Sequence, residues 1–297
     1  MNRNMVFGLG APLVITMAAA LPAHAEEVKR TIDAAGDGHI RVANTAGSVT
    51  VNGWSRDQVE VTGELGRNVE ELIVERDGNS VIVKVKVPKR GGRGIESDLL
   101  IRVPQGSSLA VGTVSADIDV TEVRGDQKLE SVSGDVDAEV VAADIMVEVV
   151  SGDIIIQGKG EDIETNAGSV SGDVTLLRIG GVVHGGTVTG DIVVDEGAFD
   201  RANLHTVNGD IMFQSELRSG GKLEAEAVNG EVELQFAGGI SGVFEIDTLN
   251  GDIDNCFGPE PERTSKYTPG WHLRFEEGDG DTRVAISTVN GDVSICR

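Results

Sequence analysis

An acidic residue recurs at intervals of about twenty residues through most of this 297-residue chain, each time directly after a glycine or, once, an alanine. Carboxylates repeated in this way can do two kinds of chemistry. They can coordinate a hard cation such as calcium, or they can accept hydrogen bonds from the amides of tight turns. The nine positions, which we call the carboxylate column, are Asp117, Asp135, Asp153, Asp173, Asp191, Asp210, Glu231, Asp252 and Asp292.

Magnitudes decide between these two roles of the carboxylate column. If the repeats stack in register, neighbouring carboxylates lie about 4.8 Å apart. Two charges at that distance repel by about 0.9 kcal/mol in a water-like dielectric, and by less in salt. A carboxylate that accepts an amide hydrogen bond gains about 1.5–3 kcal/mol. We therefore predict a structural turn column and no cofactor. Calcium binding is the alternative, although the Gly-Gly-x-Gly-x-Asp calcium repeat is absent from the sequence.

Other constellations that could carry chemistry are weak. The histidines beyond residue 25 are His39, His184, His205 and His272, and they occupy different positions of the repeat. No cysteine–histidine spacing is typical of a zinc site. No serine, threonine or cysteine is distinguished from its repeats as a nucleophile. The sequence predicts no catalytic, cofactor-binding or metal-ligating residue.

The chain has only two cysteines, Cys256 and Cys296, and each lies five residues after a repeat glycine, Gly251 or Gly291. If those two repeats stack as neighbours, the cysteine Cα atoms lie about 4.8 Å apart, within the range that a disulfide requires. We therefore predict a disulfide between Cys256 and Cys296. The 40 residues between the two glycines must then hold an excursion from the stack rather than a complete extra coil.

The excursion has its own sequence pattern. Residues 257–270 are rich in proline, glycine and charge. Residues 271–275 and 283–287 then flank the turn sequence Gly278-Asp-Gly-Asp281, which predicts a hairpin.

The repeated phrase indicates which elements must position these residues. Its copies read Val-Ser-Gly-Asp-Ile or Val-Asn-Gly-Asp-Ile, with small variations, and successive centres from Ala116 to Gly251 are 18, 18, 20, 18, 19, 21 and 21 residues apart. Self-similarity at this period is typical of a solenoid. With the glycine as position zero, apolar residues at −2, +2 and +4 predict a strand with one buried face. Apolar residues at −7 and −5 predict a second strand before each phrase.

We therefore predict an all-β fold, a parallel, right-handed β-helix or β-solenoid with coils of about 18–21 residues. Residues 1–25 have a positive start, an apolar stretch and a small-x-small end, which predicts a secretory signal peptide cleaved between Ala25 and Glu26. Residues 26–297 then form a single β-solenoid domain. Within it, we expect irregular coils and a hairpin over 26–110, regular repeats over 111–256, and an excursion and C-terminal cap coil over 257–297.

Net charge limits the possible partners. The formal charge is −24 at pH 7, which argues against binding to nucleic acid or to anionic lipid, since both require a positive surface. Beyond residue 25 no apolar run is long enough for a transmembrane helix, so the sequence predicts no integral membrane segment in the mature chain.

Three features together resemble one bacterial family. They are an opening Ala46-Gly-Ser-Val-Thr-Val51, a central Ile101-Arg-Val-Pro104 followed by Thr113-Val-Ser115, and the iterated phrase itself. Over residues 30–297 the chain is similar to the exported β-strand-repeat family known as "putative adhesin", a domain of unknown function. That resemblance implies a β-helical fold, an envelope or surface location, and no assigned catalytic residues.

These observations leave three functional hypotheses. The first is a non-enzymatic exported protein, periplasmic or at the cell surface, whose lateral face binds a protein or glycan of the cell envelope. The second is a carbohydrate-active β-helix enzyme, a polysaccharide lyase or hydrolase. The third is a periplasmic stress-response partner.

Overall fold

The computed structural model describes residues 26–89, 92–265 and 269–297, and the predicted signal peptide lies outside them. The described chain is all-β and contains no helix. Its first nine strands are β1 (Glu26–Asp33), β2 (His39–Trp54), β3 (Gln58–Leu65), β4 (Glu71–Asp77), β5 (Ser80–Lys86), β6 (Ser97–Pro104), β7 (Ser108–Thr121), β8 (Gln127–Ser133) and β9 (Val136–Glu139). The next seven are β10 (Ile145–Ser151), β11 (Ile154–Gln157), β12 (Asp162–Ser171), β13 (Val174–Leu177), β14 (Gly180–Thr189), β15 (Ile192–Asn208) and β16 (Ile211–Asn229). The last seven are β17 (Val232–Phe236), β18 (Gly242–Asn250), β19 (Ile253–Asn255), β20 (Glu262–Arg263), β21 (Trp271–Glu277), β22 (Thr282–Asn290) and β23 (Val293–Cys296).

Each repeat contributes one strand segment to each of two parallel ladders. Ladder A contains the segments before the glycine, such as β8, β10, β12 and β14, and ladder B contains those after it, such as β9, β11 and β13. The long strands β2, β7, β15 and β16 run through a corner or a side and pair in both ladders. Equivalent positions of successive repeats are in register, so a sequence column becomes a spatial column.

A continuous hydrophobic core runs from Val28 to Ile295 between the ladders. In ladder A, positions −7, −5 and −3 point inward, as Ile145, Val147 and Val149 show. In ladder B, positions +2 and +4 point into the core, as Ile154 and Ile156 show. The prediction that position −2 belongs to the buried face is wrong: Val150 is 50% exposed. The buried −3 residue is mostly a serine or threonine, and its hydroxyl donates to a glycine carbonyl of the adjacent coil, as Thr187 does to Gly172 (3.0 Å).

The repeat glycine is required by the close approach of neighbouring coils. At Gly172 φ is +151°, and a Cβ there would overlap the carbonyl oxygen of Gly152 in the preceding coil. The same overlap with the neighbouring glycine recurs at Gly190 and Gly209. At these corners glycine lets successive coils stack at the spacing of a parallel ladder, whereas Ala116 occupies the equivalent corner opposite Gly47.

The N-terminal end of the stack is built out of sequence order. β5 and β6 pair parallel with β2 and form a coil above it, although β2 also pairs with β7 below. Antiparallel strands close this end: β4 pairs with β5, β3 with β6, and β1 with β3. The hairpin expected within residues 26–110 is present as β4 and β5, which are joined at Asp77-Gly-Asn79.

The C-terminal end is also built out of sequence order and closed by an antiparallel strand. It differs from two of the expectations drawn from the sequence. β22 pairs with β16 on one side and with β18 on the other, and β23 lies likewise between β17 and β19. The last coil of the sequence is therefore inserted below the Gly251 coil and is not the cap. β21 covers β18 as an antiparallel strand. The predicted hairpin is also wrong, because β21 and β22 bracket β18 instead of pairing with each other.

Candidate functional site

The outer surface of ladder A carries an unbroken row of aliphatic side chains. They occupy position −2 of every repeat, and each is between 38% and 50% exposed. We call this row the aliphatic column; its members are Val114, Val132, Val150, Val170, Val188, Val207, Val228, Leu249 and Val289. Apolar residues scattered singly are normal on a protein surface, whereas a contiguous row of nine forms an apolar patch. A patch of this kind, arranged in a line, indicates an interaction surface.

Six members of the column, Val114 to Val207, line an open groove of about 990 Å³. Ala43, Lys84 and Val85 lie at its N-terminal end, and His184 and His205 lie toward the other end. Parallel pairing places β7, β8, β10, β12, β14 and β15 side by side beneath it. The groove therefore crosses the strands at a steep angle and presents side chains rather than backbone edges.

Glycines keep the floor of the groove clear. Gly112 and Gly168 line it, and a Cβ added at either position would meet no atom within 4 Å. Neither has a positive φ. Glycine in a strand weakens the strand, and here neither packing nor backbone conformation requires it. What these two glycines do provide is open volume beside the aliphatic column.

The carboxylate column borders the aliphatic column, three residues further along each repeat. Six carboxylates, from Asp117 to Asp210, are bonded across the stack, because Oδ1 of each aspartate accepts the backbone N–H of the next acidic residue, the last of which is Glu231. Examples are the Asp153 amide to Asp135 (2.9 Å) and the Asp191 amide to Asp173 (2.8 Å). The Asp252 amide likewise donates to Asp292 (2.8 Å). These hydrogen bonds join successive coils, whereas the sequence predicts hydrogen bonds within a single turn.

The carboxylate column lies on the protein surface. All nine residues are exposed. Across the described part of the chain, none of them forms a salt bridge with a lysine, arginine or histidine. The aliphatic column thus has a line of uncompensated negative charge along one side. On its other side are Glu130, which pairs with Lys128 at 2.8 Å, and Glu148.

An asparagine ladder separates the two columns at the C-terminal end. Asn229 Nδ2 donates to Asn208 Oδ1 (2.9 Å), Asn290 to Asn229 (2.8 Å), and Asn250 to Asn290 (2.9 Å). The order of these bonds follows the inserted coil. In the coils nearer the groove the same position holds serine or threonine.

The predicted disulfide is confirmed: Cys256 and Cys296 are bonded, with their Cα atoms 5.0 Å apart. It ties the end of the Gly251 coil to the end of the inserted coil. Arg297 lies over the Phe257 ring at 4.8 Å and donates to Glu277 (2.9 Å). The C-terminus is thereby anchored on the excursion.

At the edge of the groove, the hydrogen bond to Glu130 raises the pKa of Lys128, and other groups with shifted pKa values lie further away. Burial, with a smaller contribution from neighbouring Asp119, raises the pKa of Asp137 on ladder B. A hydrogen bond from Arg218 lowers the pKa of Asp162. In the residues that the structure describes, no three or more His, Cys, Asp or Glu side chains converge to hold a metal ion. His184 and His205 both line the groove, a proximity that their different repeat positions did not predict.

Comparison with known proteins identifies the class of fold. Residues 186–296 match the model of the Toastrack DUF4097 family, a domain of unknown function. A solved "putative adhesin" from Parabacteroides merdae is similar over 92% of this chain and 97% of its own, at 11% identity and a TM-score of 0.53. A "putative adhesin" from Bacteroides fragilis (12% identity, 91% and 96% covered, TM-score 0.46) and a "Putative lipid binding protein" from Parabacteroides distasonis (13%, 91% and 96%, 0.47) are also similar.

No curated protein matches the chain. The resemblance to the "putative adhesin" family, a domain of unknown function, is confirmed, with the family model placed on the C-terminal repeats. The described residues include no helix long and apolar enough to cross a membrane.

Proposed function

We propose that this protein is a non-enzymatic, exported binding protein that acts in the cell envelope or at the cell surface. Its binding surface is the groove on the outer side of ladder A, which includes the six members of the aliphatic column from Val114 to Val207. These six carry the proposal, because half-exposed aliphatic side chains in line stabilise the folded monomer less than buried ones would. Burying that row against another macromolecule would remove it from water.

The construction of the stack supports a binding role. Binding surfaces on repeat proteins are extended faces formed by equivalent positions of successive repeats. The antiparallel strands β4 and β21 close both ends of ladder A, which limits end-to-end pairing with other chains. We include in the proposal that residues 26–297 act as one right-handed β-helical unit. The disulfide fits an exported location, where thiols are oxidised.

Adhesion to a protein or glycan is favoured over carbohydrate chemistry by the lining of the groove. Six valines form a continuous row in its lining, and its carboxylates, Glu130 and Glu148, are equivalent positions of adjacent repeats. A glycoside hydrolase needs two carboxyl groups in different roles, one as acid and one as base or nucleophile.

A deletion strain of the native host tests this proposal. We expect wild-type protein supplied to the deletion strain to restore the lost function. The triple variant V150T/V170T/V188T should fail to do so, because threonine keeps the shape and strand preference of valine but makes the groove polar. The control V228T/V289T changes two valines of the same column outside the groove and should restore function.

Equal rescue by all three proteins would contradict the proposal. Incubation of the purified protein with envelope polysaccharides would address the enzymatic alternative. New reducing ends or unsaturated uronates in that assay would also overturn the non-enzymatic assignment.

A further inference from the structure

We propose that the groove binds an amphipathic α-helix of a partner polypeptide, with the helix axis along the aliphatic column and basic side chains reaching the carboxylate column. This inference rests on the function proposed above and specifies its partner. The partner is defined by its chemistry: an apolar stripe flanked by lysine or arginine.

The direction of the groove excludes strand addition as the mode of binding. An added strand needs an unpaired sheet edge. At the groove, β8, β10, β12 and β14 are each paired on both sides, so their backbone groups are already used. The partner must therefore bind through side chains that run across the strands.

The spacing of the column matches a helix better than an extended chain. The six valines from Val114 to Val207 span five steps of about 4.8 Å, or roughly 24 Å. A helix returns to the same face every 5.4 Å, and about 16 helical residues cover that length. An extended strand repeats each face every 6.6–6.8 Å, as two residues of about 3.3–3.4 Å, and falls more than one full valine step out of register over the same distance.

Charge selects a basic partner. Over the length of the groove, the bordering carboxylates are Asp117, Asp135, Asp153, Asp173, Asp191 and Asp210, and in the described structure none of them has a cationic side chain in salt-bridge contact. Stacked carboxylates reinforce one another's potential, so a cationic ligand is attracted along the whole line. A lysine side chain flanking the apolar stripe of a helix is long enough to reach across the serine or threonine column between them.

The same charge argues against a second copy as the occupant. Packing two aliphatic columns face to face would bring two carboxylate columns into proximity, in chains that each have a formal charge of −24. At Gly112 and Gly168 the missing side chains leave open space beside the column, into which side chains of a partner helix can pack.

Binding of designed peptides to the purified oxidised protein tests this inference. The probe is a labelled amphipathic peptide of about 16 residues with a leucine stripe flanked by lysines. One control peptide has glutamate in place of lysine, and a second has the same composition scrambled so that no stripe forms. The protein variants are G112Q/G168Q, which fills the groove in open space, and V228T/V289T, which lies outside it.

We expect the basic amphipathic peptide to bind the wild type and V228T/V289T equally and to become helical on binding. Its affinity for G112Q/G168Q should be at least tenfold lower, with no loss of thermal stability in that variant. The glutamate and scrambled peptides should bind at least tenfold more weakly than the probe.

Four outcomes would overturn the inference. Equal binding of the scrambled peptide would show attraction by charge alone, and undiminished binding to G112Q/G168Q would place the peptide elsewhere. A wild-type dimer that G112Q/G168Q dissociates would make a second copy the occupant. If the peptide does not bind while V150T/V170T/V188T still fails in the deletion strain, the inference falls but the proposed function stands.

Discussion

Asn290 donates a hydrogen bond to Asn229 at 2.8 Å across 61 residues of sequence, although the intervening repeat contains the equivalent Asn250. Asn250 in turn donates to Asn290 (2.9 Å). The C-terminal coil is therefore held between two coils that precede it in the chain. Both neighbours must be in place before it can complete its ladders.

Engineered cysteine pairs test whether the C-terminal coil lies between the coils that contain Asn229 and Asn250. Asn229 and Asn290 are register partners, whereas Asn229 and Asn250 are separated by the inserted coil. We expect N229C/N290C to form a second disulfide under mild oxidation, because register partners lie within bonding distance. N229C/N250C should remain reduced, since two ladder steps, about 9.6 Å, exceed that distance. Mass spectrometry of the unreduced protein measures both, and the reverse pattern would establish sequential stacking.

Two glycines four residues apart should respond oppositely to the same substitution. Gly172 has a φ of +151°, and Gly172→Ala places a Cβ against the carbonyl oxygen of Gly152. We expect this substitution to lower the free energy of unfolding by about 2 kcal/mol or more. Gly168→Ala adds a Cβ in open space and should raise it by about 0.4–1 kcal/mol. Urea denaturation measures the difference. Similar losses in both variants would contradict the proposed role of Gly168 as an opening of the groove.

Asp137→Asn should stabilise the protein in a pH-dependent way. Burial and neighbouring Asp119 raise the pKa of Asp137 above its ordinary 3.8, so the folded state disfavours its ionised form. This penalty is full above the folded pKa and disappears as pH falls below the unfolded value. We expect a gain of about 0.3–0.5 kcal/mol at pH 7, since Asp137 is only partly buried and solvent screens its interaction with Asp119, and none well below pH 3.8. A gain that persists in acid would refute an electrostatic cause.

Calcium should change stability little. The column carboxylates from Asp117 to Asp210 already accept amide hydrogen bonds, as Asp153 does from the Asp173 amide (2.9 Å). We expect the Tm in millimolar calcium to equal that in chelator within about a degree, with magnesium as the control for ionic strength. A specific ion would instead stabilise the protein increasingly as its excess grows. Such a trend for calcium alone would restore the calcium alternative.

The sequence predicted the all-β fold and the disulfide, because both depend on the period of the repeat. It assigned position −2 to the wrong face, because the glycine corner breaks the alternation: positions −3 and +2 both point inward although their offset along the chain is five, an odd number. The buried hydroxyl of Thr187 looks like a surface residue in sequence, and exposed Val188 looks like core. The inserted coil could not be predicted, since Asn229 can bond Asn250 or Asn290 equally well.

The proposed binding function requires the groove to be occupied in the cell. A photo-crosslinking amino acid placed at Val170, inside the groove, tests this in living cells of the native host. Glu233, exposed on ladder B, is the matched control position. We predict a discrete adduct from position 170 that is lost when Gly168→Gln is added, and none from position 233. No adduct from position 170, or equal adducts from both positions, would contradict the claim that the aliphatic column is a binding surface.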